Sequence, residues 1–297
     1  MATVQDLKRR IRSIRNTRKI TKAMELVAAA KLRRAEARIE ALRPYAERMR
    51  ELMIGTARAT PSRGFPLLEE RENASSVAIV PLTGDRGLAG GFNAQIIRRA
   101  LGLEREARET GQDVRWAVIG KKGRSTLRFR RLEVEQAWVD FTDRPEYSDA
   151  AAIARKLAEL FTERVVDRVV IVYNRYESAL TQRVVVEDVL PIPRHALEED
   201  EKKSAHEIAL EGDFIYEPEP DIILDRLLPT YLETTMYRAL LESAASEHGA
   251  RMTAMRNASK NAGELIDRLT LEMNRARQAE ITQEILEVVA GADALEG

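Results

Sequence analysis

The strongest constraint in this sequence is the scarcity of helix breakers toward its two ends. The first glycine is Gly55, and Pro44 is the one proline before Pro61. Residues 3–58 are therefore predicted to form one long helix, started by Thr3 and Asp6 at capping-box spacing. Val4, Leu7, Ile11 and Ile14 recur in steps of three and four, and Ile20, Met24 and Val27 are read as continuing that stripe. A second helical pattern begins near residue 221, with Pro229 close to its start and Gly249, Gly263 and Gly291 along it. Within it, Met252, Met255, Ser259, Ala262, Ile266, Leu269, Met273 and Ala276 form a heptad seam with small and polar members. At 1.5 Å per residue, the two helices would be roughly 80 and roughly 100 Å long. Neither buries its stripe alone. The expected arrangement is a long antiparallel coiled coil of N- and C-terminal helices, with the intervening chain inserted at one end.

The intervening pattern is different. Residues 59–74 contain Pro61, Gly64 and Pro66 and read as a linker. Apolar strands are predicted at 75–82, 114–120 and 134–141, and a β-branched hairpin at 167–176 and 182–192. Helices follow the first two strands, and residues 148–164 form an amphipathic helix. This alternation implies an α/β layer of Rossmann-like type. The predicted fold class is thus mixed α+β and α/β. Its parts are a coiled-coil helix at 1–58, an α/β domain at 75–192, an acidic loop and foot at 193–220, and a second coiled-coil helix at 221–297.

Charged residues make up 32% and aromatics 5%, a balance suited to long solvated helices. The net charge is zero, yet residues 1–50 carry 15 Lys/Arg against 5 Asp/Glu, and residues 195–225 carry 2 against 11. Such asymmetry suggests two ends with different partners. The chain has no cysteine, which excludes disulfides and thiolate metal sites. No apolar run approaches the roughly 20 residues that span a bilayer. The opening MATVQDLKRRIRSIRN lacks the apolar core of a signal peptide. A soluble chain that meets membranes only through partners is expected.

Enzyme signals are weak. Gly84, Gly87, Gly90 and Gly91 lie between a strand and a helix, where a phosphate cradle would sit. The spacing is neither GxGxxG nor GxxxxGK[ST], so a tight turn packing helix on strand is expected, with Asp85 and Arg86 tied as an ion pair. His195, His206 and His248 are scattered without ligand spacing, so no metal site is expected. No Ser-His-Asp order or carboxylate pair stands out, and no catalytic residue or cofactor is assigned. Lys8, Arg9, Arg10, Arg12, Arg15, Arg18, Lys19 and Lys22 form a basic stretch capable of phosphate affinity. No zipper, zinc finger or stacking aromatic accompanies it. A basic helix inside an acidic protein collar fits the charge equally well.

Four blocks resemble a known family. NTRKITKAMELVAAAKLRRA (16–35), LTGDRGLAGGFN (82–93), ARMTAMRNASKNAGELI (250–266) and ARQAEITQEILEVVAGADAL (276–295) look like signatures of the F-type ATP synthase gamma subunit, in family order. The glycine-rich block departs from the family's common Ser-Asp-Arg-Gly-Leu-Cys-Gly-Gly at Gly84 and Ala89. The cysteine-bearing regulatory insertion of the chloroplast type is absent. The resemblance implies a non-catalytic rotor shaft that couples transmembrane proton flow to ATP synthesis and hydrolysis on alpha and beta subunits. It also implies epsilon, delta and a membrane c-ring as partners, and no nucleic acid. Met24, Arg251, Arg277 and Gln278 match beta-subunit contacts by motif, and Tyr216 and Glu217 are assigned to the ring- and epsilon-facing foot. Ile285, Val288, Val289 and Leu295 would sit in an apolar bearing. The expected location is the cytoplasmic side of a bacterial inner membrane, as a peripheral subunit.

Overall fold

The computed structural model describes residues 3–59, 64–71, 74–179, 181–193 and 217–296. Both terminal helices form. Helix α1 is Val4–Ala59, 56 residues, and the C-terminal helix, here α5, is Pro220–Glu296, 77 residues. Helix α1 starts on the predicted cap. The Thr3 hydroxyl donates to Asp6 Oδ2 at 2.9 Å and accepts the Asp6 N–H at 3.2 Å, satisfying one orphan donor of the first turn. Pro44 and Pro229 lie inside the helices, each removing one backbone donor without ending the helix. Contacts divide the chain into two units, residues 1–29 with 251–297, and residues 30–250.

In the first unit the two helices run antiparallel. Leu7 and Ile11 cluster with Ile266 and Leu269, with Ile14, Met273 and Ala276 at the margin. Further up α1, a Cβ at Gly263 would stand 3.5 Å from the Arg18 guanidinium carbon. Thr21 Oγ1 lies 2.7 Å from Ser259 Oγ. Glu25 accepts from Arg256 Nε at 3.2 Å and from Lys22 Nζ at 3.0 Å. Rising numbers on α1 thus meet falling numbers on α5. The seam differs from the predicted stripe. Thr21, Glu25 and Ala28 are buried, whereas Ile20 and Val27 are 60% and 56% exposed. The strict three-four step from Val4 leads through Arg18 to Thr21 and Glu25, and the heptad phase overrides hydrophobicity there. The Lys22 and Arg256 hydrogen bonds hold the Glu25 carboxyl below its ordinary range, against the opposing effect of burial.

The second unit is built on a five-stranded sheet of order β3-β2-β1-β4-β5. The strands are β1 (Ser76–Pro81), β2 (Asp113–Ile119), β3 (Gln136–Trp138), β4 (Arg168–Tyr176) and β5 (Gln182–Leu190). β1 pairs in parallel with β2 and β4, β2 pairs in parallel with β3, and β4–β5 is the predicted antiparallel hairpin. Helices α2 (Phe92–Glu109) and α3 (Lys121–Phe129) follow β1 and β2, and α4 (Tyr147–Thr162) follows β3. On one face Phe92, Ile96 and Leu127 pack on Val77, Ile79, Trp116 and Val118. On the other, Ile153, Leu157 and Phe161 of α4 and Leu228, Leu232 and Met236 of α5 pack on Val80, Val169 and Ile171, joined by Met53 of α1. Both faces of the central strands are covered, which explains why they read as continuous apolar runs.

Two polar clusters brace this sheet. Asp167 Oδ2 accepts the N–H and hydroxyl of both Ser75 and Ser76 at 2.9–3.1 Å, and Asp167 Oδ1 accepts from Arg71 at 2.8 Å. Burial pushes this carboxyl upward, but Arg71 and the two serines outweigh it and hold it far below the usual range. Tyr173, fully buried, donates to Glu187 at 2.8 Å, and Arg238 pairs with both Glu187 and Glu242. Burial raises the Tyr173 phenol to about 12.

Candidate functional site

In an open parallel sheet the ligand crevice lies at the carboxyl ends of the strands where the chain's direction of winding reverses. Here that point lies between β1 and β4. Helix α5 fills it. Ser243 Oγ donates to the Leu82 carbonyl at 3.4 Å, and Ser246 Oγ donates to the Asn174 carbonyl at 2.9 Å. A Cβ on Gly84 would stand 2.6 Å from the Glu247 carboxylate. His248 Nε2 lies 3.1 Å from the Asp143 carbonyl. Ser243, Ser246, Glu247 and His248 are all buried. This polar turn was missed in the sequence, where its signal is the run Ser-Ala-Ala-Ser-Glu-His, polar on several faces of an unbroken helix.

The glycine-rich loop is tied down by neighbouring segments of the chain. Asp85 accepts the Lys121 N–H at 3.0 Å, and the Thr142 N–H and hydroxyl at 3.1 and 2.9 Å. It therefore ties the loop to α3 and to the chain after β3, rather than pairing with Arg86 as expected. The next two α3 donors are also engaged: the Lys122 N–H reaches the Gly84 carbonyl at 3.1 Å, and the Gly123 N–H reaches Thr83 Oγ1 at 2.8 Å. These are the groups that would grip a phosphate at the start of α3, and in the loop ahead of α2 the Gly84 N–H donates to Asn93 Oδ1 at 2.8 Å. Burial raises the Asp85 carboxyl, but its hydrogen bonds prevail and hold it below the ordinary range. Gly120, which caps α3, has φ +90°, and a Cβ there would come 2.0 Å from the Thr83 carbonyl oxygen. Among the described residues no group of His, Asp and Glu is arranged to hold a metal ion. His195 and His206 lie outside the described residues.

The residues assigned by motif to partner contacts fall mainly in the first unit. Met24 is half-buried, between exposed Lys22 on one side and Ile20, Leu26 and Val27 around it. Arg277 and Gln278 are exposed. Arg251 is 7% exposed and so presents the least surface of the four. From Arg277 to Ala290 every side chain of α5 is exposed. That stretch includes Ile281, Ile285, Leu286, Val288 and Val289, which are 46–72% exposed. Leu295 and Tyr216 fall among side chains outside the described set, and Glu217 is exposed just ahead of α5. The Thr21–Ser259 and Glu25–Arg256 contacts were also missed. The signal for them was the seam's strict step, followed past Ile14.

A family model described as ATP synthase matches residues 3–295. A protein of Moorella thermoacetica named ATP synthase gamma chain is 48% identical over 297 residues, covering 99% of this chain and 100% of its own length. The chain belongs to the ATP synthase gamma chain family. A gamma chain of Rubrobacter xylanophilus is likewise 48% identical, covering 99% of each sequence. Among solved structures, a chain from the central stalk and c-ring of Tetrahymena thermophila mitochondrial ATP synthase aligns with a TM-score of 0.57 at 28% identity, covering 81% of this chain and 99% of that one. A chain of Euglena gracilis mitochondrial ATP synthase aligns with a TM-score of 0.69 at 19% identity, covering 98% of this chain and 94% of that one, and shows the shared fold. The four sequence blocks therefore carry a gamma-chain resemblance that holds over the whole length.

Proposed function

We propose that this gamma chain is the central rotor shaft of an F-type ATP synthase, itself non-catalytic, which couples transmembrane proton flow to ATP synthesis and hydrolysis on alpha and beta subunits. The observation that carries this reading is the bare end of α5. A helix with Ile285, Leu286, Val288 and Val289 all exposed demands a covering surface, because apolar patches of this kind mark interaction sites. An apolar sleeve formed by an alpha–beta collar supplies one.

The coupling follows from unlike faces. The outward side of α1 carries Ile20, Met24 and Val27 beside Lys19 and Lys22, while α5 offers Arg277 and Gln278. As the pair turns, a given beta subunit meets first one face and then another. Only differential contact can shift its nucleotide-site conformation. Met24, Arg277 and Gln278 act as surface contacts, and Arg251 acts from beneath that surface. Each proton delivers about 2.3 kcal/mol per 100 mV, so the work of several protons is spread along the helix pair rather than resting on one contact. Glu217 and Tyr216 belong to the foot, with epsilon and the c-ring as neighbours and delta elsewhere in the complex. The filled crevice supports a non-catalytic role, since α5 and Asp85 occupy the positions a nucleotide would need. Among the described residues no helix is long and apolar enough to cross a membrane, in keeping with a peripheral subunit on the cytoplasmic side of a bacterial membrane.

Reconstitution tests the reading. The chain alone should hydrolyse no ATP, and mixed with alpha and beta subunits of a gamma-chain relative's complex it should restore hydrolysis. Failure to join that ring, or hydrolysis by the isolated chain, would refute the rotor-shaft role.

A further inference from the structure

Helices α2 and α3 lie side by side on one face of the sheet and leave between them a groove of about 700 Å³. Its α2 wall includes Ile97, Arg98, Leu101 and Arg105, and its other wall includes Lys122 of α3 and Arg130 just past its end. The α2 positions step by one, three and four, so they share one helix face, and Lys122 and Arg130 are two turns apart. The one acidic wall residue, Glu104, is buried and already paired with Arg108 at 2.8 Å. Among the described residues, Arg98, Lys122 and Arg130 are exposed and have no carboxylate partner. Phe129, adjacent to Arg130, is 89% exposed. Arg128 in the last turn of α3 and Arg131 just beyond it add to the positive charge.

We propose that this groove docks an acidic amphipathic helix of a partner chain. The wall from Asn93 to Arg105 extends about 18 Å, the length of three helical turns. The groove is concave and bounded by two helices, so a third helix can lie in it, with apolar side chains toward Ile97 and Leu101 and carboxylates toward the cationic rim. The guanidinium groups favour bidentate carboxylate pairing. A flat bilayer surface would reach the exposed rim cations but not the apolar floor between the two helices. The inference is independent of the rotor reading, because the groove belongs wholly to the α/β unit.

The test uses the full chain and a labelled synthetic peptide of about 14 residues, with leucines along one helical face and glutamates elsewhere. Fluorescence anisotropy should show binding that weakens as salt rises. Arg98→Glu combined with Arg130→Glu should weaken it at least tenfold, with circular dichroism unchanged. Lys156→Glu, on the opposite face of the sheet, should leave it intact. A scrambled peptide of the same composition should bind at least tenfold more weakly. Equal binding of the scrambled peptide, or no effect of the two arginine substitutions, would overturn the proposal. So would phosphatidylglycerol vesicles binding the chain with that same arginine dependence, which would make the patch a membrane contact.

Discussion

Asp167→Asn should destabilise the α/β unit by about 3 kcal/mol or somewhat more, because it leaves a buried guanidinium without its counter-charge. The Arg71 and Asp167 side chains are only 12% and 14% exposed, so solvent screens their interaction weakly. Arg71 also donates to the carbonyls of Phe161 and Val166 at 2.6 and 2.8 Å and lies 4.5 Å from the Phe161 ring centroid. Those contacts survive the substitution, which places the cost at the lower end of the roughly 3–5 kcal/mol range for a broken buried pair. Adding Arg71→Met removes the stranded charge, so the double variant should lose about 2 kcal/mol less than the two single losses added together. Urea titration followed by tryptophan fluorescence isolates this unit, because both tryptophans, Trp116 and Trp138, lie in its sheet. With a slope of about 1–3 kcal/mol/M, the midpoint should fall by on the order of 1–3 M. The depressed Asp167 carboxyl contributes stability that is fully present above its unfolded pKa of about 3.9 and is lost as pH falls toward the folded value. The gap between wild type and Asp167→Asn should therefore hold steady from about pH 6 to 8 and narrow below about pH 4. A single-variant loss under about 1 kcal/mol, or strict additivity in the double variant, would refute the reasoning.

Two further outcomes are expected. Gly120→Ala should cost about 2–4 kcal/mol in the same urea assay, combining positive-φ strain with a Cβ driven into the Thr83 carbonyl; a variant as stable as wild type would mean the loop relaxes freely. Met24→Lys should lower the ATP made per ion in a reconstituted complex while leaving the chain's circular dichroism unchanged, since a half-buried surface position tolerates a charge; unaltered yield would remove Met24 from the contact surface.

The elements were legible where one physical signal dominated. Thr3 and Asp6 announced the start of α1, the β-branched runs announced β4 and β5, and unbroken periodicity announced both terminal helices. The Arg-Thr-Glu stretch of the seam was not legible, because hydrophobicity pointed to Ile20, Met24 and Val27. Only the heptad count, with Ser259 and Arg256 on α5 as polar partners for Thr21 and Glu25, reverses that reading. The role of Asp85 was half visible. A loop-tying carboxylate was foreseeable from its place between strand and helix, but its partner Thr142 lies far along the chain and no local pattern marks it. The plugging of the sheet crevice by Ser243–His248 depends on tertiary contact across most of the sequence. For Met24, Arg251, Arg277 and Gln278, the motifs supplied the residues and the structure supplied their accessibility.

The antiparallel pairing of α1 with α5 also has a consequence during synthesis. Leu7 and Ile11 find their apolar partners on Ile266 and Leu269, which leave the ribosome about 260 residues later. At about 5–20 residues per second, the amino-terminal stripe stays uncovered for on the order of 10–50 s after it emerges. Helix α1 thus waits for a partner made long after it, and in the nascent protein its greasy side is what a chaperone would hold.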